Sequence, residues 1–341
     1  MKSNITAIPQ GTRTYLFEEA ELKRRLEQEL YVRLKERGFQ EIATPLLEYH
    51  DSAVVGLSDD ERNRIIRFTE EDSGRAIALR ADITSQIARS VATHLAGRPL
   101  PLKLCYSGPV FRRTQKGKGE QYVLNQGGME IVGAVGPETD VEIIGCVAAI
   151  LGAVGINGCA LSLGHAGIIG SFMKGVPPQY GDKIRAALAK KDKSALSKLL
   201  RESSCGPEIS GKIVALAGMF GGKEVLQDAE NICAGNEPAA AALKNLAVIF
   251  DAAERSSLGK RLTLDLGEIR GFGYYTGVMM ELFSLSGLAL GAGGRYDSLV
   301  GRFGKDLPAV GFAFDIDRMI EAVMREYTGA ALETLLAKLG K

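Results

Sequence analysis

The stretch that most constrains this chain is residues 263–281, TLDLGEIRGFGYYTGVMME. Residues 262–266 are apolar enough for a strand, and residues 274–283 resume a β pattern. Between them Gly271 and Gly273 allow backbone angles closed to other residues, which puts Arg270 beside a turn with Tyr274 and Tyr275 just past it. Two readings are open on these residues: a structural hairpin carrying an ion-paired arginine, or the floor of a ligand pocket.

At 341 residues the chain has room for two domains, or for one large α/β domain with an insertion, and for a sizeable core. Lys and Arg together number 42 and Asp and Glu 41, so no net field draws the molecule to nucleic acid or to an acidic membrane, although a local basic patch is compatible with that balance. The five cysteines are widely spaced and form no CxxC pair, which argues against a disulfide framework and against a zinc site, and suits a reducing cytoplasm. The N-terminus carries no apolar signal core, and no run approaches the roughly 18 apolar residues of a membrane span. The expectation is a soluble, cytoplasmic protein without a metal.

Along the chain, Leu22, Leu26, Leu30 and Leu34 draw one apolar stripe on a charged helix over 18–37, stopped by Gly38. A strand over 39–44 then meets Pro45, which belongs at a strand end or an edge. Such a helix and strand suit either a subunit interface or the plain surface. Residues 65–68 and 76–79 read as a hairpin turning at Asp72-Ser73-Gly74. Asp82 or Thr84 reads as an N-cap of the helical run that follows, or else Asp82 stands at a strand-to-helix junction where a carboxylate can face a cationic ligand group. Strands over 102–111 and 122–133 flank the polar loop from Arg112 to Gln121, which is either a solvated tip or a loop closing over a phosphate or carboxylate. Period-two spacing sets Gln126, Gly128 and Glu130 on one strand face, an amide and a carboxylate flanking a gap that a small ligand or a bulge would explain.

Residues 137–154 read as a helix with acidic residues in its first turns, and 159–163 as a strand. Four or five short helices are expected over 168–238, and a helix from 237 to 256 rejoins the main body. The glycines at 291, 293 and 294 lack the strand-turn-helix context of a dinucleotide site; a helix through Val300 and a strand over 309–314 follow. Asp315 to Arg318 start the last expected helix, where Arg318, opposing the dipole, calls for an acidic or aromatic partner.

In order, these blocks resemble the catalytic core of class II aminoacyl-tRNA synthetases, and histidyl-tRNA synthetase in particular, from the N-terminus to about residue 325. The long helix, strand and Pro45 resemble the first motif, which in that family forms a dimer interface. FRRTQKGK followed by NQGGME is similar to the second motif, GGRYD with PAVGF and DIDR to the third, and RGFGYYTG to the family's histidine signature. The resemblance implies an α+β fold: a mixed, mainly antiparallel sheet flanked by helices, with core segments at 1–167 and 239–341 and a helical insertion at 168–238. It also implies a histidine site of Asp82, Thr84, Arg112, Gln126, Glu130, Arg270, Tyr274 and Tyr275, with Arg318 as a vestigial nucleotide contact.

Two departures matter. Thr114 stands where the synthetase has an adenine-recognising glutamate, and no anticodon-binding domain is expected after the third motif. Asp82 also replaces the synthetase's glutamate. This pattern resembles the regulatory subunits of ATP phosphoribosyltransferase. It implies no catalysis by this chain, no cofactor, and histidine as regulatory ligand in a feedback loop of histidine biosynthesis. The implied partners are the short-form catalytic subunit and a second copy of the chain, without tRNA or membrane. The alternative is a truncated histidyl-tRNA synthetase or a histidine-adenylating ligase.

Overall fold

The computed structural model describes residues 5–113, 121–269 and 274–339. The leucine stripe forms as expected: helix Phe17–Lys35 buries Leu22, Leu26, Leu30 and Leu34, and Gly38 ends it at a positive φ of 82°. The strand expected over 39–44 shrinks to two residues, β1 (Gln40–Glu41), because Phe39 turns into the core and the ladder stops after Ile42 N–H donates to the Cys105 carbonyl. Strands β2 (Leu47–Tyr49), β3 (Arg67–Thr69) and β4 (Ala76–Leu79) form a small sheet in the order β2-β4-β3, with the expected β3–β4 hairpin and Gly74 at φ 67°.

Among the described residues the main sheet has nine strands. In chain order these are β1, β5 (Leu102–Phe111), β6 (Val123–Val132), β7 (Cys159–His165), β8 (Phe220–Gly221), β9 (Leu262–Asp265), β10 (Val278–Ser284), β11 (Ala289–Arg295) and β12 (Ala309–Asp315). Their spatial order is β1-β5-β6-β12-β11-β10-β7-β9-β8. Pairing is antiparallel except β1 with β5 and β7 with β9, near the two edges. The hairpin reading of 262–281 is therefore corrected. β9 and β10 do not pair, because β7 lies between them and β9 joins β7 in parallel, a pairing that a tight turn cannot make.

Side-chain alternation divides the interior. Met129 and Ile131 of β6 join the main apolar cluster under helices Phe17–Lys35, Pro137–Ala153 and Ile316–Glu326. Val132 joins a second cluster with Ile83, Ile87, Tyr106, Tyr274 and Tyr296 on the opposite face. Five helices, Ala166–Met173, Pro178–Ala189, Lys193–Ser203, Pro207–Ala217 and Glu224–Cys233, lie between β7 and helix Glu237–Ala253. Proline at the start and the cap of Asp192 begin several of them, Asn236 caps the helix that follows, and their Ile184, Leu188, Leu200 and Ile213 share the main cluster. The helix expected through Val300 is a 3₁₀ turn, Val300–Phe303, and a helix not expected, Ala330–Lys338, closes the described chain. Among the described residues no helix is long and apolar enough to cross a membrane.

Candidate functional site

The second face of the sheet carries a cavity of about 220 Å³. That is below the usual range of drug-sized sites, about 300–1,000 Å³, and suits a small metabolite. Asp82, Thr84, Arg112, Gln126, Glu130, Tyr274, Tyr275 and Arg318 all line it. Eight of the nine anticipated positions thus converge, from the junction after β4, the end of β5, β6, the segment before β10, and the helix after β12. Arg270, like Thr114, lies outside the described residues.

Glu130 is the most elaborately held of these groups. Thr84 Oγ1 donates to its Oε1 at 2.8 Å and the Tyr106 hydroxyl at 3.4 Å, while the Tyr296 hydroxyl donates to Oε2 at 2.6 Å. Burial pushes its carboxyl up to about 7; the Tyr296 and Thr84 hydrogen bonds and that of Tyr106 pull down, and the nearby Asp82 pushes up. Gly311 opposes Glu130 across the β6–β12 ladder, and a Cβ built there would lie 1.5 Å from Glu130 Oε2. The glycine makes the space in which this carboxyl folds back onto the sheet.

Asp82 is also fully enclosed. Burial raises its pKa, opposed first by the charge of Arg112 and then by hydrogen bonds from the Gln126 amide and the backbone N–H groups of Thr84 and Ile83. Asp82 accepts from amides at the helix start and also lines the cavity; Ile83, not Thr84, is the N-cap residue. Asp82 Oδ2 and Gln126 Oε1 are buried acceptors without a hydrogen-bond partner among the described residues. Arg112 Nε donates to the Ala81 carbonyl at 2.9 Å, which holds the guanidinium beside Asp82.

The gap read at Gly128 is filled. Tyr106 lies directly across the β5–β6 ladder from Gly128, and a Cβ there would meet Tyr106 Cζ at 2.6 Å. The ligand space is displaced to the other side of Gln126 and Glu130, toward Gly291, Gly293 and Phe312. Tyr274 packs edge-on against Tyr296 at 5.6 Å and at a tilt against Tyr275 at 4.9 Å, forming an aromatic wall. Sequence reasoning missed Tyr106, Tyr296, Glu281 and Asp315. Tyr296 sits inside the quoted GGRYD segment; Tyr106 had only its place on a strand as a signal.

Arg318 has the acidic partner its position demanded: Nε lies 3.3 Å from Asp315 Oδ2, and Nη1 donates to the Ala289 carbonyl at 3.1 Å. Asp315 caps the helix through the Arg318 N–H, and burial lifts its carboxyl to about 6. The wall is braced from behind by Arg295, which contacts Asp140 at 2.7 Å and donates to the Gly136 carbonyl, while its own carbonyl accepts from Thr276 N–H at 2.8 Å. Among the described residues no three His, Cys, Asp or Glu side chains are grouped as a metal site requires. Chemically, the cavity offers buried carboxylates and an amide oxygen for cationic or N–H groups, two arginines, Arg112 and Arg318, and an aromatic side.

The sheet order and the flanking helices are those of a class II aminoacyl-tRNA synthetase module, as the similar proteins show. Residues 11–319 match the histidyl-tRNA synthetase family. A solved ATP phosphoribosyltransferase regulatory subunit/histidyl-tRNA synthetase from Bacillus halodurans superposes with a TM-score of 0.86 at 26% identity, over 95% of this chain and 84% of that one. A histidyl-tRNA synthetase from Nostoc, at 22% identity and a TM-score of 0.78 over 94% of this chain and 76% of that one, shares the fold. The ATP phosphoribosyltransferase regulatory subunit of Geobacter sulfurreducens is 37% identical over 319 residues, 93% of this chain and 73% of the relative. That of Syntrophotalea carbinolica is 37% identical over 329 residues, covering 96% and 77%. The chain belongs to the family of ATP phosphoribosyltransferase regulatory subunits.

Proposed function

We propose that this chain is the non-catalytic, histidine-sensing subunit of an ATP phosphoribosyltransferase, and that the cavity binds free histidine as a feedback signal. The observation that carries the ligand assignment is the pair of buried acceptors without a partner, Asp82 Oδ2 and Gln126 Oε1, beside the caged Glu130. Leaving buried acceptors unpaired costs about 1–3 kcal/mol each, so a ligand bringing N–H donors recovers that energy on binding. Histidine brings an ammonium and a ring with two nitrogens, and its carboxylate suits the fork of Arg112. Arg270 would add a second cation from the signature segment.

The assignment to regulation rests on the named relatives and on Thr114, where a synthetase would grip adenine. Those names support a catalytic ATP phosphoribosyltransferase subunit as partner; our reading makes it the short form, in the cytoplasm, with a second copy of this chain at the class II dimer face and without tRNA. If histidine regulates, it must bind the active and inhibited complexes with different affinity.

Calorimetric titration of histidine into the chain tests the pocket. Saturable binding, weakened about tenfold or more in Asp82→Asn and in Gln126→Ala, is expected. Unaltered binding in both variants would remove histidine from this cavity. Histidine-dependent exchange of pyrophosphate into ATP would instead assign an adenylating enzyme.

A further inference from the structure

We infer that a second concavity, separate from the histidine cavity, binds the phosphate groups of a nucleotide. Its walls come from the start of helix His50–Ala53, the helix Asp59–Asn63, the segment leading into β3, and the two ends of the β5–β6 connection. It encloses about 760 Å³, within the usual range for small-molecule sites.

Its charge is one-sided. Arg62, Arg67, Arg113 and His50 line it, and among the described residues no aspartate or glutamate does. Among the described residues no carboxylate pairs with Arg67 or Arg113, and Arg62 has only exposed Asp59 at 3.8 Å. Such a cluster of guanidinium groups on a chain of net charge +1 is costly through mutual repulsion unless an anion joins it. The neighbouring histidine cavity contrasts with it, since Asp82, Glu130, Glu281 and Asp315 line that one and repel phosphate.

The arginines are also positioned. Arg113 N–H donates to the Arg64 carbonyl at 2.7 Å, and Arg64 Nε returns a hydrogen bond to the Arg113 carbonyl at 3.1 Å, fixing the backbone from which Arg113 projects. Arg67 Nη1 lies 3.4 Å from His50 Nε2. Val54, Ile65, Ile66 and Tyr122 share the lining with the cations. A volume far beyond a bare phosphate, several guanidinium groups, and apolar and aromatic side chains in the same lining together fit a nucleotide, with its phosphates on the arginine forks and its base against Tyr122. This inference stands on charge and shape and does not depend on the histidine reading.

Equilibrium dialysis of the full chain against ATP, AMP and inorganic phosphate tests it. ATP and AMP are expected to bind, inorganic phosphate to bind at least about tenfold more weakly than ATP, and affinity to fall with salt. Arg67→Ala and Arg113→Ala should each weaken ATP about tenfold or more, and Arg67→Lys less than Arg67→Ala. Arg318→Ala, in the histidine cavity, should leave ATP binding intact. Arg62 and Arg67 are exposed, so Arg62→Ala/Arg67→Ala keeps the wild-type thermal midpoint and decides the matter if Arg113→Ala fails to fold. The inference is overturned by no nucleotide binding, by inorganic phosphate binding as tightly as ATP, by binding of single-stranded RNA without ATP, or by loss of ATP in Arg318→Ala but not in Arg67→Ala.

Discussion

Glu130 carries the chemistry of the site most directly. Its carboxyl is lifted by burial from an ordinary 4.5 to about 7, so the folded state holds its proton more tightly than the unfolded state does. The sign of the linkage follows: the stabilisation from this group is complete below about pH 4.5 and is lost as pH rises through about 7, an effect on the order of 3 kcal/mol. Glu130→Gln removes that titration. The melting temperature of the wild type, relative to this variant, should fall between pH 5 and pH 8, as scanning calorimetry across pH would show; parallel curves would contradict the assignment. A cationic ligand should draw the proton off Glu130, so calorimetry near neutral pH in buffers of different ionisation heat should register proton release. Gly311→Ala would place a methyl 1.5 Å from Glu130 Oε2, and should cost several-fold to complete loss of histidine binding, with a lowered midpoint. At this scale the sequence disclosed Gln126 and Glu130 through period-two spacing. It misjudged Gly128 because the residue covering it, Tyr106, comes from the adjacent strand, and register between strands is not written in either one alone.

Among the elements, the decisive brace is the end of β11. Arg295 and Asp140 form a buried pair linking this strand to the first turn of helix Pro137–Ala153, and the Arg295 carbonyl fixes the segment just after Tyr275. Burial outweighs the pull of Arg295 and lifts the Asp140 carboxyl to about 6. Breaking such a pair strands a buried charge, so Asp140→Ala should cost about 3–5 kcal/mol in denaturant unfolding and loosen the tyrosine wall. A change below about 1 kcal/mol would show that the pair is incidental. The acidic residue was visible in the sequence only as a partner of the helix dipole. Strand order explains the larger error of the same kind. Residues 262–266 and 274–283 were recognisable as β segments, yet β7, about 100 residues upstream, separates them in the sheet, and no local pattern announces a parallel neighbour. Helices with leucine stripes, N1 prolines or side-chain caps were legible because their signals are local.

For the molecule as a whole, the fold was legible through four separated motifs in one order, the last three of which bring residues to one cavity. Their meeting around one cavity is a property of topology that spacing alone does not yield. On the proposed reading the scaffold keeps the groups that hold histidine, while Thr114 stands where the resemblance to the synthetase implies an adenine-recognising glutamate. Binding without consumption is what a feedback signal requires, since a regulator must release the ligand unchanged. The central claim is tested by the phosphoribosyl transfer rate of the short catalytic subunit, measured alone, with this chain, and with this chain plus histidine. The account predicts little activity alone, a large increase on adding the chain, and inhibition by histidine that Asp82→Asn relieves while activation persists. A catalytic subunit equally active with and without this chain, or inhibition by histidine that is unchanged in Asp82→Asn, would contradict it.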